Sequence, residues 1–570
     1  MSAHTDTFAR DNLPPPEQWP ELRFDLPELR YPEKLNCAVE LLDAMVERGF
    51  GERTAILTPA RRLSYRELRA EANRIAAVLR DDLGLVPGNR VLIRGYNETT
   101  TAACWFGVIK AGCIAVTTMP LLRSKELCEA IERAQIATAL CDARLEAELR
   151  LAAERCPQLE RILWWNLDAT ARRAAADNHD APDSHDALDN LEAPNSLDAR
   201  DSLEARMRAH SEDFENVVTA ADDVCLIAFT SGTTGSPKGT MHFHRDVLAI
   251  CDTFPPAHLR TTPDDVFCGT PPLAFTFGLG GLLLFPLRAG ATAVLLEAPT
   301  PESLLGAIAE YGVTVTFAAP PAYRAMTPHA ARYDLHSLRA CVSAGETLPV
   351  PTRAGWKAAT GIDIIDGIGA TEMLHIFISA SGDEIRPGAT GKPVPGFTAT
   401  ILDDDGRELP PGNVGRLAVK GPTGCRYLAD PRQAHYVFDG WNVTGDAYLL
   451  DADGYFWYQA RTDDMIVSSG YNIAGPEVEA ALLAHAGVAE CAVVAVPDEA
   501  RGHIVKAFVV LQPGVDANDA QVRALQDWVK AQIAPYKYPR AIEFVSALPR
   551  TETGKLQRFK LRAAENGARP

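Results

Sequence analysis

A loop rich in glycine, serine and threonine, followed by a lysine, places the strongest constraint on the fold of this chain. The stretch Phe229–Asp246 reads FTSGTTGSPKGTMHFHRD and follows an apolar run that begins at Val224. Glycines let backbone N–H groups converge and hydroxyls add donors, an arrangement typical of a polyphosphate site when a lysine is near. Pro237 precedes Lys238 and Gly239 follows it, which differs from the G-x-x-x-x-G-K-[ST] order of a P-loop. The loop indicates a nucleotide site of another kind, and a plain glycine-rich strand-to-helix turn is the alternative.

Length and composition indicate a large globular chain with an acidic balance. At 570 residues, the chain is longer than a single hydrophobic core ordinarily accommodates, so two or more domains are expected. The content of 46% hydrophobic and 23% charged residues is that of a globular protein. The formal net charge of −19 disfavours non-specific binding to nucleic acid. We therefore expect no nucleic-acid partner, and local donors must hold any bound polyanion.

Several features are those expected of a cytoplasmic protein. The N-terminus is polar and proline-rich and lacks the apolar stretch of a secretory signal. The longest apolar run, near Phe277–Leu287, is broken by glycines and a proline and is shorter than the roughly 20 residues that span a bilayer. The 12 cysteines are scattered without a CxxC pair, which indicates reduced thiols. We expect a cytoplasmic location and no membrane contact.

Short apolar strands alternate with longer amphipathic helices along the first part of the chain. Apolar spacing predicts a helix over Leu63–Leu79, a strand over Val91–Arg94, a helix over Thr101–Lys110 and a strand over Cys113–Thr117. The same rhythm recurs through further predicted strands at Ala293–Leu296, Val313–Phe317 and Ile362–Ile365. Such alternation is typical of βαβ units, so the predicted fold class is α/β with a parallel core.

The pattern changes at two places. Asp168–Asp213 is rich in Asp, Ala, Asn and Ser, which predicts a solvated or partly helical insertion without a chemical role. After Asp403, an acidic turn and alternating apolar residues predict a β-hairpin, and a smaller unit follows with strands near Cys491–Val496 and Lys506–Leu511. We place the domain boundary near Arg461–Asp464, which gives domains at 1–462 and 463–570.

Five short motifs occur in order along the chain. They are TSGTTGSPKG (230–239), DGIGATE (366–372), TGD (444–446), RTDDMI (461–466) and PRTETGKLQR (549–558). Together they resemble the acyl-adenylate-forming, or AMP-binding, superfamily, and the resemblance covers nearly the whole chain. The stretches DGIGATEMLHIFIS, PPLAFTFGLGG and GPTGCRYLAD are similar to the benzoate-CoA ligase branch, and within it to 2-aminobenzoate-CoA ligases.

The resemblance implies a fold and a two-step reaction. The fold is a large N-terminal α/β domain of several subdomains with a β-barrel-like portion, followed by a small mobile α+β domain. In the first step an aryl carboxylate attacks the α-phosphate of ATP and gives an acyl-AMP and pyrophosphate. In the second step the thiol of CoA attacks the acyl carbon and AMP leaves, because AMP is a better leaving group than oxide. The implied cofactors and co-substrates are ATP, Mg²⁺ and CoA.

The resemblance also assigns residues to the nucleotide. The β- and γ-phosphates are assigned to the first motif, namely Thr230, Ser231, Gly232, Thr233, Thr234, Gly235 and Lys238. The adenine is assigned to two segments of small residues, namely Ala344, Gly345 and Glu346, and Asp366 and Gly367. Glu372, which follows Thr371, is assigned to Mg²⁺, since a hard cation takes carboxylate and phosphate oxygens. The ribose hydroxyls are assigned to Asp446, with Arg461 assisting.

A lysine near the end of the chain is the implied catalytic residue of the first step. Lys555 would bridge the carboxylate and the α-phosphate, two anions that repel each other. The second step requires its removal, so the resemblance implies that the small domain rotates about a hinge at Asp463. The rotation would bring the loop Ser469–Asn472, with Gly470 and Tyr471, towards the CoA tunnel.

The resemblance implies a flat, mainly apolar slot for the acid. Matches to benzoate-CoA ligases surround an aromatic ring, which suits a monocyclic aryl carboxylate, with Thr276, Phe277, Ala344, Gly369, His375 and Ile376. His244 is matched to a position beside the acyl group, where a ring gates or contacts the substrate. His242 has no match and is interpreted as a surface histidine.

Several alternatives stay open at this point. The sequence does not separate benzoate from 2-aminobenzoate or hydroxybenzoates, nor a monomer from a homodimer. A short- or branched-chain acyl-CoA ligase, or an aryl-adenylating enzyme that loads a carrier protein, would carry similar motifs. An amino-acid adenylation domain is disfavoured because no acidic residue lies between Pro271 and Gly281 to hold an ammonium group. An inactive protein of the same fold is disfavoured by the intact residues Lys238, Glu372, Asp446, Arg461 and Lys555.

Overall fold

The computed structural model describes residues 1–167, 201–230, 237–461, 466–468, 471–498, 502–533, 537–550 and 556–565. Several predicted site residues lie outside the described residues, namely Ser231, Gly232, Thr233, Thr234, Gly235, Asp463, Gly470 and Lys555. The side chain of Tyr471 is likewise not described.

The strands are labelled in chain order. They are β1 (Thr54–Leu57), β2 (Arg62–Ser64), β3 (Arg90–Arg94), β4 (Ile114–Thr118), β5 (Thr138–Asp142), β6 (Arg161–Trp165), β7 (Val224–Thr230), β8 (Lys238–Phe243), β9 (Val266–Gly269), β10 (Thr292–Val294), β11 (Val315–Ala318), β12 (Ala340–Ser343), β13 (Ile364–Gly369), β14 (Ile376–Ser379), β15 (Lys392–Pro393), β16 (Thr398–Leu402), β17 (Val414–Lys420), β18 (Val437–Phe438), β19 (Trp441–Leu450), β20 (Phe456–Arg461), β21 (Ile466–Ser468), β22 (Tyr471–Ile473), β23 (Val488–Asp498), β24 (Gly502–Leu511) and β25 (Ala541–Phe544).

The α-helices are labelled in the same way. They are α1 (Phe8–Asp11), α2 (Tyr65–Ala77), α3 (Thr99–Lys110), α4 (Ser124–Ala134), α5 (Glu146–Arg155), α6 (Leu203–Met207), α7 (His244–Phe254), α8 (Thr276–Leu279), α9 (Phe285–Ala289), α10 (Pro301–Tyr311), α11 (Pro320–Met326), α12 (Val350–Thr360), α13 (Gln433–Tyr436), α14 (Gly475–Leu483), α15 (Asp519–Gln532) and α16 (Arg558–Glu565). Short 3₁₀ turns occur at Pro16–Gln18, Pro27–Leu29, Ala143–Leu145, Thr327–Arg332, Thr371–Met373 and Gly382–Glu384. Single π-type turns occur at Val39–Asp43, Val46–Phe50, Val78–Asp82, Pro255–Leu259 and Gly280–Leu284.

Two largely parallel sheets form the core of the N-terminal part. One has six strands in the order β6-β5-β3-β4-β7-β8, and the other has nine in the order β15-β14-β13-β12-β11-β9-β10-β1-β2. In the first, only the pair β7 and β8 is antiparallel. In the second, β13 to β1 are parallel and the edge strands are antiparallel. The predicted α/β class with a parallel core is therefore confirmed.

The predicted helix over Leu63–Leu79 is present as α2, and the sequence explains where it begins. The Ser64 hydroxyl accepts a hydrogen bond from the backbone N of Glu67 at 3.2 Å, and the Glu67 carboxylate accepts one from the backbone N of Ser64 at 2.7 Å. This reciprocal capping box satisfies N–H groups that have no partner within the first turn. Leu68 and Ile75 on the apolar face are fully buried.

Smaller sheets follow the two large ones. A five-stranded sheet has the order β16-β17-β19-β18, with β20 paired to β19, and its pair β16 and β17 forms the hairpin predicted after Asp403. The C-terminal unit contains a two-stranded sheet, β21 and β22, and a three-stranded sheet, β23-β24-β25. β20 ends at Arg461 and β21 begins at Ile466, so the predicted boundary lies between two sheets. The division into domains stays a prediction.

The segment predicted as a solvated insertion is partly packed against the core. Residues 168–200 lie outside the described residues, but α6 begins at Leu203, whose side chain is fully buried. Ser202 caps α6 through Ala205 N at 3.2 Å and forms a bridge to Trp164. The expectation of a partly helical segment therefore agrees with residues 201–213, and the burial of Leu203 is a detail that a composition averaged over the whole segment hides.

All twelve cysteines lie within the described ranges, and each is a free thiol. Within those ranges, we find no helix with both the length and the apolar character needed to cross a bilayer.

Candidate active site

The residues predicted to line the adenine lie at the carboxyl edge of the nine-stranded sheet. β12 and β13 are parallel, and Ser343 lies opposite Asp366 in their register. Ala344 continues from the end of β12, and Gly345 takes a φ of +90°, in the left-handed region that favours glycine. Asp366 Oδ1 is buried and has no hydrogen-bond partner within the described residues, so it is an acceptor that a ligand can use. Open α/β sheets bind their ligands at this edge.

His375 lies at the centre of a group of aromatic side chains. Its side chain is 3% exposed, and its ring centroid lies 4.5 Å from that of Phe285, 5.7 Å from those of Phe277 and Phe254, and 6.3 Å from that of Phe317. Burial lowers the pKa of His375 to about 3, so the imidazole is neutral at neutral pH. Within the part of the chain that the structure describes, no side chain donates to or accepts from the ring nitrogens, and the backbone of Phe277 is a hydrogen-bonding group that partly opposes the lowering of the pKa.

The other predicted acid residues lie on segments next to this group. Ile376 is 2% exposed and begins β14, where it lies opposite Gly369 of β13. A Cβ on Gly369 would stand 2.7 Å from the carbonyl oxygen of His375, so only glycine fits there. Thr276 begins α8 and is half-buried, and Ala344 is 4% exposed at the end of β12, two strands from β14. The predicted slot is therefore assembled from neighbouring segments.

The glycine-rich loop connects two antiparallel strands. Thr230 of β7 lies opposite Lys238 of β8, and residues 231–236 between them lie outside the described residues. A strand-to-helix turn, the alternative considered from the sequence, is therefore excluded. Thr230 Oγ1 is buried and has no hydrogen-bond partner among the described residues.

Lys238 and Glu372, two residues assigned to MgATP, lie close together and share a tyrosine. Lys238 Nζ stands 3.7 Å from Glu372 Oε1 and donates a hydrogen bond to Tyr427 Oη at 2.8 Å. Tyr427 Oη in turn donates to Glu372 Oε1. Burial and the neighbouring carboxylate raise the pKa of Tyr427, so its hydroxyl keeps the proton. The Tyr436 hydroxyl is buried nearby without a hydrogen-bond partner in the described ranges.

His242 is fully buried, so its interpretation as a surface histidine is wrong. Its Nε2 stands 2.8 Å from the carbonyl oxygen of Thr371, and its Nδ1 stands 3.8 Å from Asp246 Oδ2. Asp246 pairs with Arg426, and both of these side chains are also fully buried. Burial opposes the ionisation of Asp246, but Arg426 and then His242 outweigh it and lower its pKa to about 2. β8 is covered on both faces, so a polar residue on it is buried in either orientation.

The structure does not bring His244 to the acid residues. Its side chain is 1% exposed, and its Nδ1 accepts a hydrogen bond from the backbone N of Cys37 at 3.1 Å. Its ring and the thiols of Cys37 and Cys225 place their ligand atoms within 4.8 Å of one another. Within the described ranges, His244 makes no hydrogen bond or ring contact with the group around His375. Its contact with the acyl group stays a prediction.

The residues predicted to bind the ribose lie close enough to Glu372 to sense its charge. Asp446 of β19 lies opposite Arg461 of β20, and Arg461 Nη1 donates to Asp446 Oδ1 at 3.0 Å. Burial raises the pKa of Asp446, Arg461 opposes this rise, and the charge of Glu372 adds to it. Two carboxylates and two cationic side chains, those of Arg461 and Lys238, therefore form one polar group.

The C-terminal unit contacts the N-terminal part next to the adenine segment. Arg550 Nη1 stands 3.6 Å from Glu346 Oε1, and Arg550 Nη2 stands 3.1 Å from Glu490 Oε2. Arg324 Nη2 reaches Glu490 Oε1 at 3.0 Å. Arg550 also forms a β-bridge with Leu556, across the range 551–555 that lies outside the described residues. The motif that contains Lys555 therefore begins next to Glu346, a residue that the resemblance assigns to the adenine.

Comparison with known proteins identifies the family. A model of the AMP-binding enzyme family matches residues 44–427, and a model of the AMP-binding enzyme C-terminal domain matches residues 477–555. The chain belongs to the AMP-binding enzyme family, which confirms the resemblance that the motifs indicate.

Individual relatives cover nearly the whole chain. Benzoate–CoA ligase of Thauera aromatica is 36% identical over 546 residues, which are 94% of this chain and 98% of that protein. The crystal structure of the anthranilate CoA ligase AuaEII in complex with anthranoyl-AMP matches with a TM-score of 0.85 and 32% identity, covering 95% of this chain and 99% of that chain. A benzoate CoA ligase from Burkholderia xenovorans LB400 matches with a TM-score of 0.79 and 30% identity, covering 93% and 100%.

Sequence reasoning missed several members of the site. Tyr427 and Arg426 lie in GPTGCRYLAD, a stretch that carries the resemblance but received no role. Asp246 is the last residue of the stretch Phe229–Asp246 and received no role from the sequence. An arginine followed by a tyrosine, next to apolar residues, suggests that each side chain has a polar partner. The sequence does not identify these partners, because Glu372 lies 55 positions from Tyr427 and Asp246 lies 180 positions from Arg426.

We predict that Tyr427→Phe lowers the free energy of unfolding of the nucleotide-free protein by about 2 kcal/mol, since hydrogen bonds to charged groups contribute about 1.5–3 kcal/mol. The measurement is urea denaturation followed by tryptophan fluorescence. Tyr436→Phe is the matched control, because its hydroxyl has no partner among the described residues, and its effect should stay within about 0.5 kcal/mol. Equal losses in the two variants would contradict the bridging role of Tyr427.

Proposed function

We propose that this chain is an ATP-dependent aryl-CoA ligase that activates an aromatic carboxylate of the benzoate and 2-aminobenzoate class. The acid attacks the α-phosphate of ATP and gives an aroyl-AMP and pyrophosphate, and the thiol of CoA then displaces AMP. The observation that carries the proposal is the group of phenylalanine rings around His375, at the same sheet edge as the residues assigned to the adenine.

Ring contacts favour a flat aromatic acid over a flexible chain. Phe277 is the half-buried member of the group, and its ring meets that of Phe317 edge-on at 5.5 Å and that of His375 at 5.7 Å. Aromatic rings prefer such tilted and edge-on contacts at centroid distances of about 4.5–7 Å, which a benzoate ring can extend. A long fatty acid would need an open tunnel where Phe277 and His375 lie.

An unpaired nitrogen of His375 favours 2-aminobenzoate within this class. Buried polar atoms are normally hydrogen-bonded, and the backbone of Phe277 can satisfy only one of the two ring nitrogens of His375, which leaves the other without a partner within the described residues. Because the pKa is lowered to about 3, one nitrogen of the neutral ring is an acceptor. The amino group of 2-aminobenzoate is a donor, and the AuaEII complex holds anthranoyl-AMP in a chain that is 32% identical to this one.

The residues present fit a nucleotide with Mg²⁺. Glu372 supplies a hard carboxylate oxygen, Lys238 supplies a cation at 3.7 Å from it, and Thr230 Oγ1 is a buried hydroxyl without a partner in the described ranges. Mg²⁺, when bound, would offset negative charge on the pyrophosphate. Asp446 with Arg461 would take the ribose hydroxyls. Tyr427 would release Glu372 and Lys238 to these ligands.

The catalytic role proposed for Lys555 requires a rotating C-terminal unit. The ion pair of Arg550 with Glu346 supports a position of its motif next to the nucleotide in the first step. The second step would turn the unit about Asp463 and bring Gly470 and Tyr471 towards CoA, with no further change in the acid slot.

The proposal is tested by AMP formation in the presence of CoA with a panel of acids. We expect kcat/KM for 2-aminobenzoate and benzoate to exceed that for butanoate and 2-methylpropanoate by at least about tenfold, the lower end of discrimination by an apolar pocket. His375→Leu should lower kcat/KM for 2-aminobenzoate about tenfold more than for benzoate, because one hydrogen bond is worth up to about 1.5 kcal/mol. A preference for butanoate would overturn the aryl assignment, and equal effects on both aryl acids would remove the role of His375.

The Lys555→Ala variant tests the two steps of the reaction, adenylation and thioester formation, separately. It should lower pyrophosphate release from acid and ATP by about 10²–10³-fold or more, because a cation that stabilises the transition state is lost. Thioester formation from supplied aroyl-AMP and CoA should be largely unchanged. Lys560→Ala, an exposed lysine on α16, is the matched control and should leave both halves intact. Equal losses in both halves would show that Lys555 does not act in adenylation alone.

A further inference from the structure

The turn that carries Glu372 is held in place by side chains from other segments. Thr371–Met373 is a single 3₁₀ turn, and Leu374 closes it with a φ of +68°, a conformation uncommon for a branched residue. The carbonyl oxygen of Met373 accepts a hydrogen bond from Thr423 Oγ1 at 2.8 Å. The carbonyl oxygen of Thr371 stands 2.8 Å from His242 Nε2. One isolated turn cannot fix its own geometry, so these outside contacts set the position of Glu372.

The contact of His242 defines its orientation. A carbonyl oxygen can only accept, so Nε2 of His242 carries the proton and donates it to Thr371. Nδ1 lies on the side of Asp246, whose Oδ2 stands 3.8 Å away, a packing and electrostatic contact that is too long for a hydrogen bond. Asp246 Oδ2 also accepts a hydrogen bond from the backbone N of Phe243 at 3.0 Å. The imidazole thus donates to a peptide carbonyl and packs beside a carboxylate.

Arg426 is the third polar side chain of this group, after His242 and Asp246. Its guanidinium pairs with Asp246 and lies 3.9 Å over the ring of Phe243. Arg426, Asp246 and His242 are all fully buried. A buried ion pair is a weak source of stability, because desolvation offsets much of the attraction. A role in fixing geometry accounts better for these three polar side chains in an apolar interior.

Arg426 and Tyr427 are neighbours in the chain and act on opposite sides of the same turn. Tyr427 contacts the Glu372 side chain directly, and Arg426 reaches the backbone before Glu372 through Asp246 and His242. Adjacent residues of an extended segment point to opposite sides, which allows this division. The segment therefore contacts both the backbone and the carboxylate of the predicted metal residue.

We propose that Arg426, Asp246 and His242 form a positioning series that fixes the peptide between Thr371 and Glu372 and so orients Glu372 for a Mg²⁺–nucleotide complex. The proposal rests on the proposed function for its nucleotide and metal, and it is independent of which acid is activated. None of the three residues touches the reacting atoms.

The test compares two amide replacements of His242. The Nε2 amide of His242→Gln reaches the position of the imidazole Nε2, whereas the shorter amide of His242→Asn reaches only that of Nδ1. The measurement is calorimetric binding of adenosine 5′-(β,γ-methylene)triphosphate to the full chain, with and without Mg²⁺. We expect His242→Asn to weaken binding with Mg²⁺ by about tenfold, as for residues that orient metal ligands, and to leave binding without Mg²⁺ unchanged. His242→Gln should bind as the parent protein does.

Kinetics give a second readout. His242→Asn should raise KM for MgATP in pyrophosphate release about tenfold and leave KM for the acid unchanged, as expected of a residue that orients a metal ligand. Equal weakening with and without Mg²⁺, or the same behaviour of Asn and Gln variants, would overturn the proposal. Should the parent protein turn over none of the acids, the proposed function fails while the binding comparison still decides the role of His242.

Discussion

The antiparallel pairing of residues 426–428 with β8 holds the two halves of the nucleotide site together. Met241 N donates to the carbonyl oxygen of Arg426 and Leu428 N to that of Gly239, each at 2.8 Å. This pairing joins a segment that follows β17 to the edge of the six-stranded sheet. Lys238 on β8 and Glu372 beyond β13 are bridged by Tyr427, which bonds both of them.

The buried charges of the site have internal partners in the nucleotide-free protein. Glu372 accepts from Tyr427, and Asp446 accepts from Arg461 at 3.0 Å. A nucleotide must therefore exchange these hydrogen bonds for its own, and the net gain is smaller than the new contacts alone suggest. In return the side chains are already ordered, which lowers the conformational entropy lost on binding.

Local patterns predict the class of fold, and long-range contacts decide the site. Alternating apolar runs predict the parallel core, and S-x-x-E at Ser64 and Glu67 marks the start of α2. A glycine-rich loop is equally suited to precede a helix or a strand, so the hairpin of β7 and β8 could not be predicted from it. The burial of His242 and the partnership of Arg426 with Asp246 depend on a segment 180 residues away, which no local pattern contains.

Arg550 and Arg324 form ion pairs with Glu346 and Glu490. The strength of these pairs bears on how firmly the C-terminal unit is attached to the N-terminal part. Their side chains are between 26% and 39% exposed, and exposed ion pairs contribute only about 0–1 kcal/mol each. A ligand that prefers one orientation by about 1.4 kcal/mol shifts the populations tenfold, an effect of the same size as these ion pairs. In the rotation proposed for the second step, occupancy of the cleft would then act on the equilibrium between orientations alongside these ion pairs, which raised ionic strength weakens.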